Sequence, residues 1–410
     1  MKKLVFTVAL CFVVSMAFAQ KKAISAAKNE IKGNKPNIEE ARKLIQGAME
    51  DPETKNNAET YFVAGQIENS QFDAEKIKEA LGQAPNEAVM YKSLGNILPF
   101  FLKADELDQL PDEKGKVKPK FRKDLKSYIT ANHPYYRNGG VYYSNNMKDY
   151  AEAYKFFDIY LNIPKLPMFE GDKAMEAIVS DSSYLEIKYY AAIMASSIGT
   201  DESRRNAIAL YESLVAIDYN SNEVYQYLCA EYEQIKDSVN LVKILKKGAS
   251  KFPDEPYYLR ALINQYINSN QHEEAVKSLK EAIAQKPDDA QLYDVLGRVY
   301  ENRDEIDAAI EQFEKALSLD SEYVESLGNI GRVYYNRGVE AQAAASNIAD
   351  NKAYSEAFVK VKEHFNQSMP YYEKALELNP GEKEYMNPLR TIYYILGMGE
   401  KLEKIEKEMQ

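Results

Sequence analysis

The sequence contains no tryptophan, three histidines and two cysteines in 410 residues. Cys11 lies in an apolar leader, so an exported chain that has lost this leader keeps only Cys229 and has no disulfide. Packing alone must then hold the fold, with Cys229 acting as a small buried hydrophobe. His133, His272 and His364 are far apart, and His272 opens HEEAV without the second histidine that a zinc-protease helix needs. Gly-rich phosphate loops, nucleophile elbows and Cys/His metal spacings are missing too, and GMGEK at Gly397 is too short to cradle phosphate. These absences point away from catalysis, metal binding and cofactors. Basic charge is also scarce, 52 Lys and Arg against 63 Asp and Glu for a net charge of −11, which argues against a nucleic-acid partner.

Long apolar runs are lacking except at the start, where Lys2 and Lys3 precede an apolar stretch from Leu4 to Ala19 that closes on Ala17, Phe18 and Ala19. This pattern reads as a secretory signal peptide (residues 1–19) cleaved between Ala19 and Gln20, too short for a permanent anchor, which needs about 20 apolar residues. Leu10 before Cys11, and the apolar run continuing beyond it, argue against lipid attachment. Removal leaves 391 residues with a net charge of −13. The expected location is the periplasm, with no stable membrane span after cleavage.

What is present is periodicity. The stretch VLGRVYENRDEIDAAIEQFEKAL (295–317) places Leu296, Gly297 and Tyr300, then Ala309, Phe313 and Ala316, on either side of a charged turn. The same residue classes recur in frames starting at Lys188, Asn222, Pro256, Ala290 and Val324, each 34 residues after the last. The seventh position is Met194, Leu228, Leu262, Leu296 and Ile330; the eighth is Ala195, Cys229, Ile263, Gly297 and Gly331. Large apolar residues three and four apart give each half-frame one stripe, which predicts two amphipathic helices per frame. Small residues at the eighth and twentieth positions let the paired backbones approach, and Pro253 and Pro287 end the second helices. One pair cannot bury its own stripe, so neighbouring pairs must stack.

These residues resemble the tetratricopeptide repeat family. The resemblance implies an all-α fold, a right-handed superhelical solenoid of antiparallel helix pairs, with five repeats over 188–382 and capping helices over 383–410. In the fifth frame the second-helix residues arrive late, as Ser368, Tyr372, Ala375 and Pro380. About 25 residues are therefore inserted around 338–365, and their alanine content and spacing predict that both helices of the pair are lengthened. Residues 20–164 read as degenerate repeats: IEEARKLIQGAMEDP (38–52), FFLKADELDQLP (100–111) and YAEAYKFFDIYL (150–161) have second-helix spacing, and AETYFVAGQIE (58–68) has first-helix spacing. The irregular stretch PKLPMFEGDK (164–173) marks a break, followed over 165–187 by a connector and a helix start.

In this family the first helices line a concave groove. Reading its groove positions here gives Tyr189, Gln226, Tyr257, Arg260, Asn264, Asp294, Arg298, Arg332, Tyr335, Asn336 and Tyr394 as the implied binding residues. The ninth position of three successive frames is Asn264, Arg298 and Arg332, a polar row suited to an extended peptide or a carboxylate. Arg298 and Arg332 also have acidic neighbours, Asp294 and Glu301, with which to pair, and asparagine at the thirteenth position (Asn268, Asn302, Asn336) reads as a helix terminus. Arg260 and Asn264 fit the first two places of the family's carboxylate clamp, whereas Val295 and Glu325 stand where asparagine and lysine are expected. Most of the 32 tyrosines read as packing residues. The functional expectation is a non-catalytic scaffold or adaptor of the bacterial envelope that holds a protein or peptide in the groove. A glycan-binding protein using groove tyrosines is the alternative, and an enzyme subunit a weaker one.

One local anomaly is KGKVKPKFRKDLK (114–126), with seven basic residues in an acidic chain. It reads as a solvated connector; the sharper reading is a patch for anionic envelope material such as lipid head groups or phosphorylated glycans.

Overall fold

The computed structural model describes residues 22–33 and 35–409, so the leader and its cleavage point lie outside the described residues. Among the described residues the regular structure is helical throughout, with no strand, and no helix is long and apolar enough to cross a membrane. The chain is an all-α helical-repeat protein whose contacts divide it into two units, one ending at Asp237 and the other starting at Ser238.

The first unit holds α1 (22–30), α2 (Ile38–Glu50), α3 (Ala58–Ala80), α4 (Glu87–Asp108), α5 (Arg122–Tyr142), α6 (Tyr150–Asn162), α7 (Lys173–Val179), α8 (Ser182–Ile198), α9 (Asp201–Val215) and α10 (Ser221–Gln234). Short polar residues start most of these helices: Asn37, Asn57, Asn86, Asp149, Asp172, Asp181 and Thr200 each accept a hydrogen bond from an otherwise unpaired first-turn N–H. The apolar stripe of α2 is buried at Ala41, Ile45 and Ala48 as its second-helix spacing predicts, and α3 packs on α4. The segment 100–108 is only the tail of a 22-residue helix, α4, which runs through Pro99. The core of this unit is rich in aromatic rings, including Phe72, Phe101, Phe156 and Tyr184, all at most 2 % exposed. The irregular stretch after α6 is packed into that core through Ile163, Met168 and Phe169, in two 3₁₀ turns (Ile163–Lys165 and Pro167–Phe169).

The second unit holds α11 (Ser238–Lys251), α12 (Pro256–Asn268), α13 (His272–Gln285), α14 (Ala290–Asn302), α15 (Ile306–Leu319), α16 (Val324–Ala345), α17 (Asn351–Leu378), α18 (Lys383–Leu396) and α19 (Gly399–Glu408). Each helix packs chiefly on the next. The last long pair is extended: α16 has 22 residues and α17 has 28, against 13 in α12 and α14. Phe365 of α17, fully buried, packs against Gly338 and the ring of Tyr335, whose centroid lies 5.5 Å away. The extension thus has a core of its own. Small residues sit where the frames require them, with Ala275, Ala309 and Ala316 at 0 % exposure.

Candidate functional site

The site is built by three first helices of the second unit. Pro256 stands in the first turn of α12, where its missing N–H costs nothing, and Glu255 caps the turn by accepting from the Tyr257 amide at 3.2 Å. Asp289 does the same for α14 through the Gln291 amide at 3.0 Å. A repeat of 34 residues then returns the ninth position to the same place on successive helices. Asn264 of α12, Arg298 of α14 and Arg332 of α16 line one cavity of about 430 Å³, together with Ile263, Ile267, Val295, Glu301 and Asn302. Arg260 opens instead on a neighbouring cavity of about 600 Å³, and Ile263 and Val295 form part of the wall of both.

The three polar residues of the row differ in how far the protein itself uses them. Arg332 is committed: its guanidinium makes two hydrogen bonds to the Glu301 carboxylate, Nη2 to Oε2 at 2.9 Å, and Nη2 also donates to Asn329 Oδ1 at 2.8 Å. Burial works against its charge, but the Glu301 carboxylate outweighs that and holds the Arg332 pKa above the ordinary arginine value. Arg298 is half committed, with Nε 3.3 Å from Asp294 Oδ2 and just over half of its side chain in solvent, 54 %. Asn264 and Arg260 are exposed and make no hydrogen bond or ion pair with the described residues. The cavity therefore offers the outer nitrogens of the Arg298 guanidinium and the Asn264 amide beside an apolar wall, an arrangement suited to an acidic or amide group carried on an extended segment.

Asp294 has a different role from the exposed groove position read from the sequence. It is 2 % exposed and accepts from Ser326 Oγ and Asn329 Nδ2, both at 2.8 Å. Burial pushes its carboxyl above the ordinary aspartate range, against the lowering pull of Ser326, Asn329 and Arg298. It ties α14 to α16 and orients Arg298 from below. Ser326 and Asn329 are the positioning residues that sequence reading missed, because their partner lies a whole repeat away; the one available signal was a pair of small polar residues, beside Glu325, in the first two turns of α16.

The remaining groove positions fall elsewhere. Tyr257 is half-buried with its ring edge-on to Tyr258 at 5.2 Å, and Tyr335 is half-buried against Phe365 and Tyr372. Asn336 is exposed but sits inside α16, which runs on to Ala345, so it terminates nothing. Tyr394 is 72 % exposed on α18. In the first unit Gln226 is half-buried and donates to Asn222 Oδ1 at 3.4 Å. Tyr189 is 8 % exposed, covered by the rings of Tyr190, Tyr219 and Tyr227 at centroid distances of 5.8 to 6.3 Å. Cys229 is buried as well, and burial pushes its thiol up to about 12, which leaves no thiolate at neutral pH. Among the described residues no cluster of three or more His, Cys, Asp or Glu is placed to hold a metal ion.

No curated protein matches the chain. Among solved structures it is similar to the MamA protein (20 % identity over 46 % of this chain and 88 % of that one, TM-score 0.33). It is also similar to MamA from Desulfovibrio magneticus RS-1 (19 % identity, 44 % of this chain and 95 % of that one, TM-score 0.29). A TPR repeats protein from Bacteroides fragilis NCTC 9343 matches with 17 % identity over 64 % of this chain and 98 % of that one, at a TM-score of 0.35. A profile of the tetratricopeptide repeat family matches residues 255–289, 290–323 and 362–382, which include α12, α13, α14 and α15 and the second half of α17. Proteins of this fold are in general non-catalytic protein-interaction modules, and no catalytic family is indicated. Residues 255–323 and 362–382 of this all-α helical-repeat chain thus match the tetratricopeptide repeat.

Proposed function

We propose that the chain is a non-catalytic adaptor of the bacterial envelope that seats a partner segment along the first-helix face of α12, α14 and α16. The observation that carries this reading is the shared cavity of Asn264, Arg298 and Arg332 with its apolar wall of Ile263, Ile267 and Val295. Arg332 and Asp294 are the rigid frame; Arg298, Asn264 and Arg260 are the contacts left to a ligand. The preferred ligand is an extended peptide with an acidic or amide side chain next to an apolar one, the first meeting Arg298 and the second the wall. The envelope location rests on the leader Met1–Ala19, and amino-terminal sequencing of the exported protein is expected to begin at Gln20.

Pull-down from envelope extract tests the site. Arg298→Ala should lose the protein partner at least tenfold while its circular dichroism stays that of the parent, because Arg298 is a surface residue. An unchanged set of partners would reject the first-helix face as the binding surface. The glycan reading keeps one specific support, the exposed rings of Tyr190 and Tyr227 that both pack against buried Tyr189 in the first unit. Saturable change of tyrosine fluorescence on adding soluble oligosaccharides, abolished by Tyr190→Ala with Tyr227→Ala, would favour it.

A further inference from the structure

The connection between α4 and α5 (residues 109–121) carries charge that the repeat faces do not use. Seven basic residues fall between 114 and 126, and counted from 110 they face only Asp112, Glu113 and Asp124, a local excess of positive charge in a chain of net −11. Every residue from 111 to 120 is exposed. The loop is nevertheless ordered at both ends. At its base the Phe121 amide donates to Asp108 Oδ2 at 2.8 Å, the Phe121 ring stacks on Phe62 at 4.6 Å, and Arg122 pairs with Asp105 at 3.6 Å. At its tip Asp112 Oδ1 accepts the amides of Lys114 and Lys116, each at 2.9 Å, and Gly115 takes the left-handed φ of +71° that closes the turn.

The lysines are mostly left free by the fold. Lys118 lies 3.8 Å from Asp112, whereas Lys114, Lys116, Lys120 and Lys123 make no ion pair with the described residues. Two exposed apolar side chains accompany them, Leu110 at 59 % just ahead of the first lysine and Val117 at 50 % between Lys116 and Lys118. Ammonium groups alone would serve any polyanion. Apolar side chains standing in water among them serve a bilayer interface, where the lysines meet lipid phosphates and the apolar groups enter the boundary between head groups and acyl chains. A loop already fixed by Asp112 and Phe121 also loses little backbone freedom on docking. We infer that residues 110–123 form a peripheral docking loop for an anionic lipid surface.

The test is sedimentation of the whole chain with phosphatidylcholine vesicles, with and without phosphatidylglycerol, and with soluble polyphosphate. The parent should bind the phosphatidylglycerol vesicles and not the neutral ones, and release as salt shortens the screening length. Each lysine near an anionic surface is worth about fivefold in affinity, so Lys114→Gln, Lys116→Gln, Lys118→Gln and Lys120→Gln combined should weaken binding by about a hundredfold or more. Leu110→Ser with Val117→Ser should weaken vesicle binding several-fold and leave polyphosphate binding unchanged. Absence of vesicle binding by the parent, or full binding by the lysine variant, would overturn the proposal. Full vesicle binding by the apolar variant would also overturn it, in favour of a general polyanion site. Circular dichroism of both variants should match the parent, since the altered side chains are all exposed.

Discussion

Gly297 of α14 lies so close under the ring of Phe313 of α15 that a β-carbon at residue 297 would come within 2.5 Å of Phe313 Cε1. Both residues are buried, so the ring has nowhere to retreat. Overpacking of a tight core costs about 1–3 kcal/mol, and alanine returns about 1 kcal/mol through its better helix propensity. Gly297→Ala should therefore lower the stability of the second unit by up to about 2 kcal/mol, read as a lower thermal midpoint. Adding Phe313→Leu should recover part of the loss. A Gly297→Ala protein at least as stable as the parent would show that the helices need no glycine here.

Asp294 gives a pH signature. Its carboxyl is held above the ordinary aspartate range mainly by burial, so the folded chain binds that proton more readily than the unfolded one. The corresponding stabilisation is complete below the unfolded value of about 3.9 and is lost as pH rises through the folded value. Asp294→Asn cannot titrate, although its Oδ1 can still accept from Ser326. The stability of the variant relative to the parent should accordingly increase between acid and neutral pH in denaturant titrations. A difference that stays constant with pH would contradict the buried, proton-favouring site.

His133 of α5 reports on the first unit. It is 2 % exposed, its ring stacks on Tyr160 at 4.2 Å, and its Nε2 lies 2.9 Å from the Tyr160 carbonyl, an acceptor only, so Nε2 carries the hydrogen. Burial lowers its pKa against the raising effect of that carbonyl. The sign is opposite to that of Asp294: the contribution is present above the unfolded value of about 6.5 and is lost as pH falls through the folded value. NMR titration should place the His133 midpoint below about 6.5, and a midpoint at or above it would mean that the ring is solvated.

Much of this architecture is legible in the residues. The frames at Pro256 and Ala290 coincide with α12 and α14, and Asn268 and Asn302 are the last residues of those helices, each followed two positions later by a left-handed residue, Asn270 or Asp304. The same position in the next frame, Asn336, lies mid-helix because Gly338 and Phe365 extend the packed seam past it. The late arrival of Ser368 and Tyr372 announced that extension. The site was legible as a row but not as a set of commitments. Period alone places Asn264, Arg298 and Arg332 on one face. Which of them is free depends on Glu301, Asn329 and Ser326, whose partners lie about a repeat away. The burial of Tyr189 was hidden from the frame for a similar reason: three tyrosine rings cover it, Tyr190 from its own helix, Tyr219 from the turn before α10 and Tyr227 from α10.

The most direct measurement is photo-crosslinking from the cavity itself. A benzoylphenylalanine at position 264, in the chain expressed in its own envelope, should yield a defined crosslinked protein that disappears with Arg298→Ala. The same probe at Lys280, on the second helix α13, should yield none. Equal crosslinks from both positions, or a crosslink at 264 that survives Arg298→Ala, would contradict the first-helix face as the place where this repeat protein holds its partner.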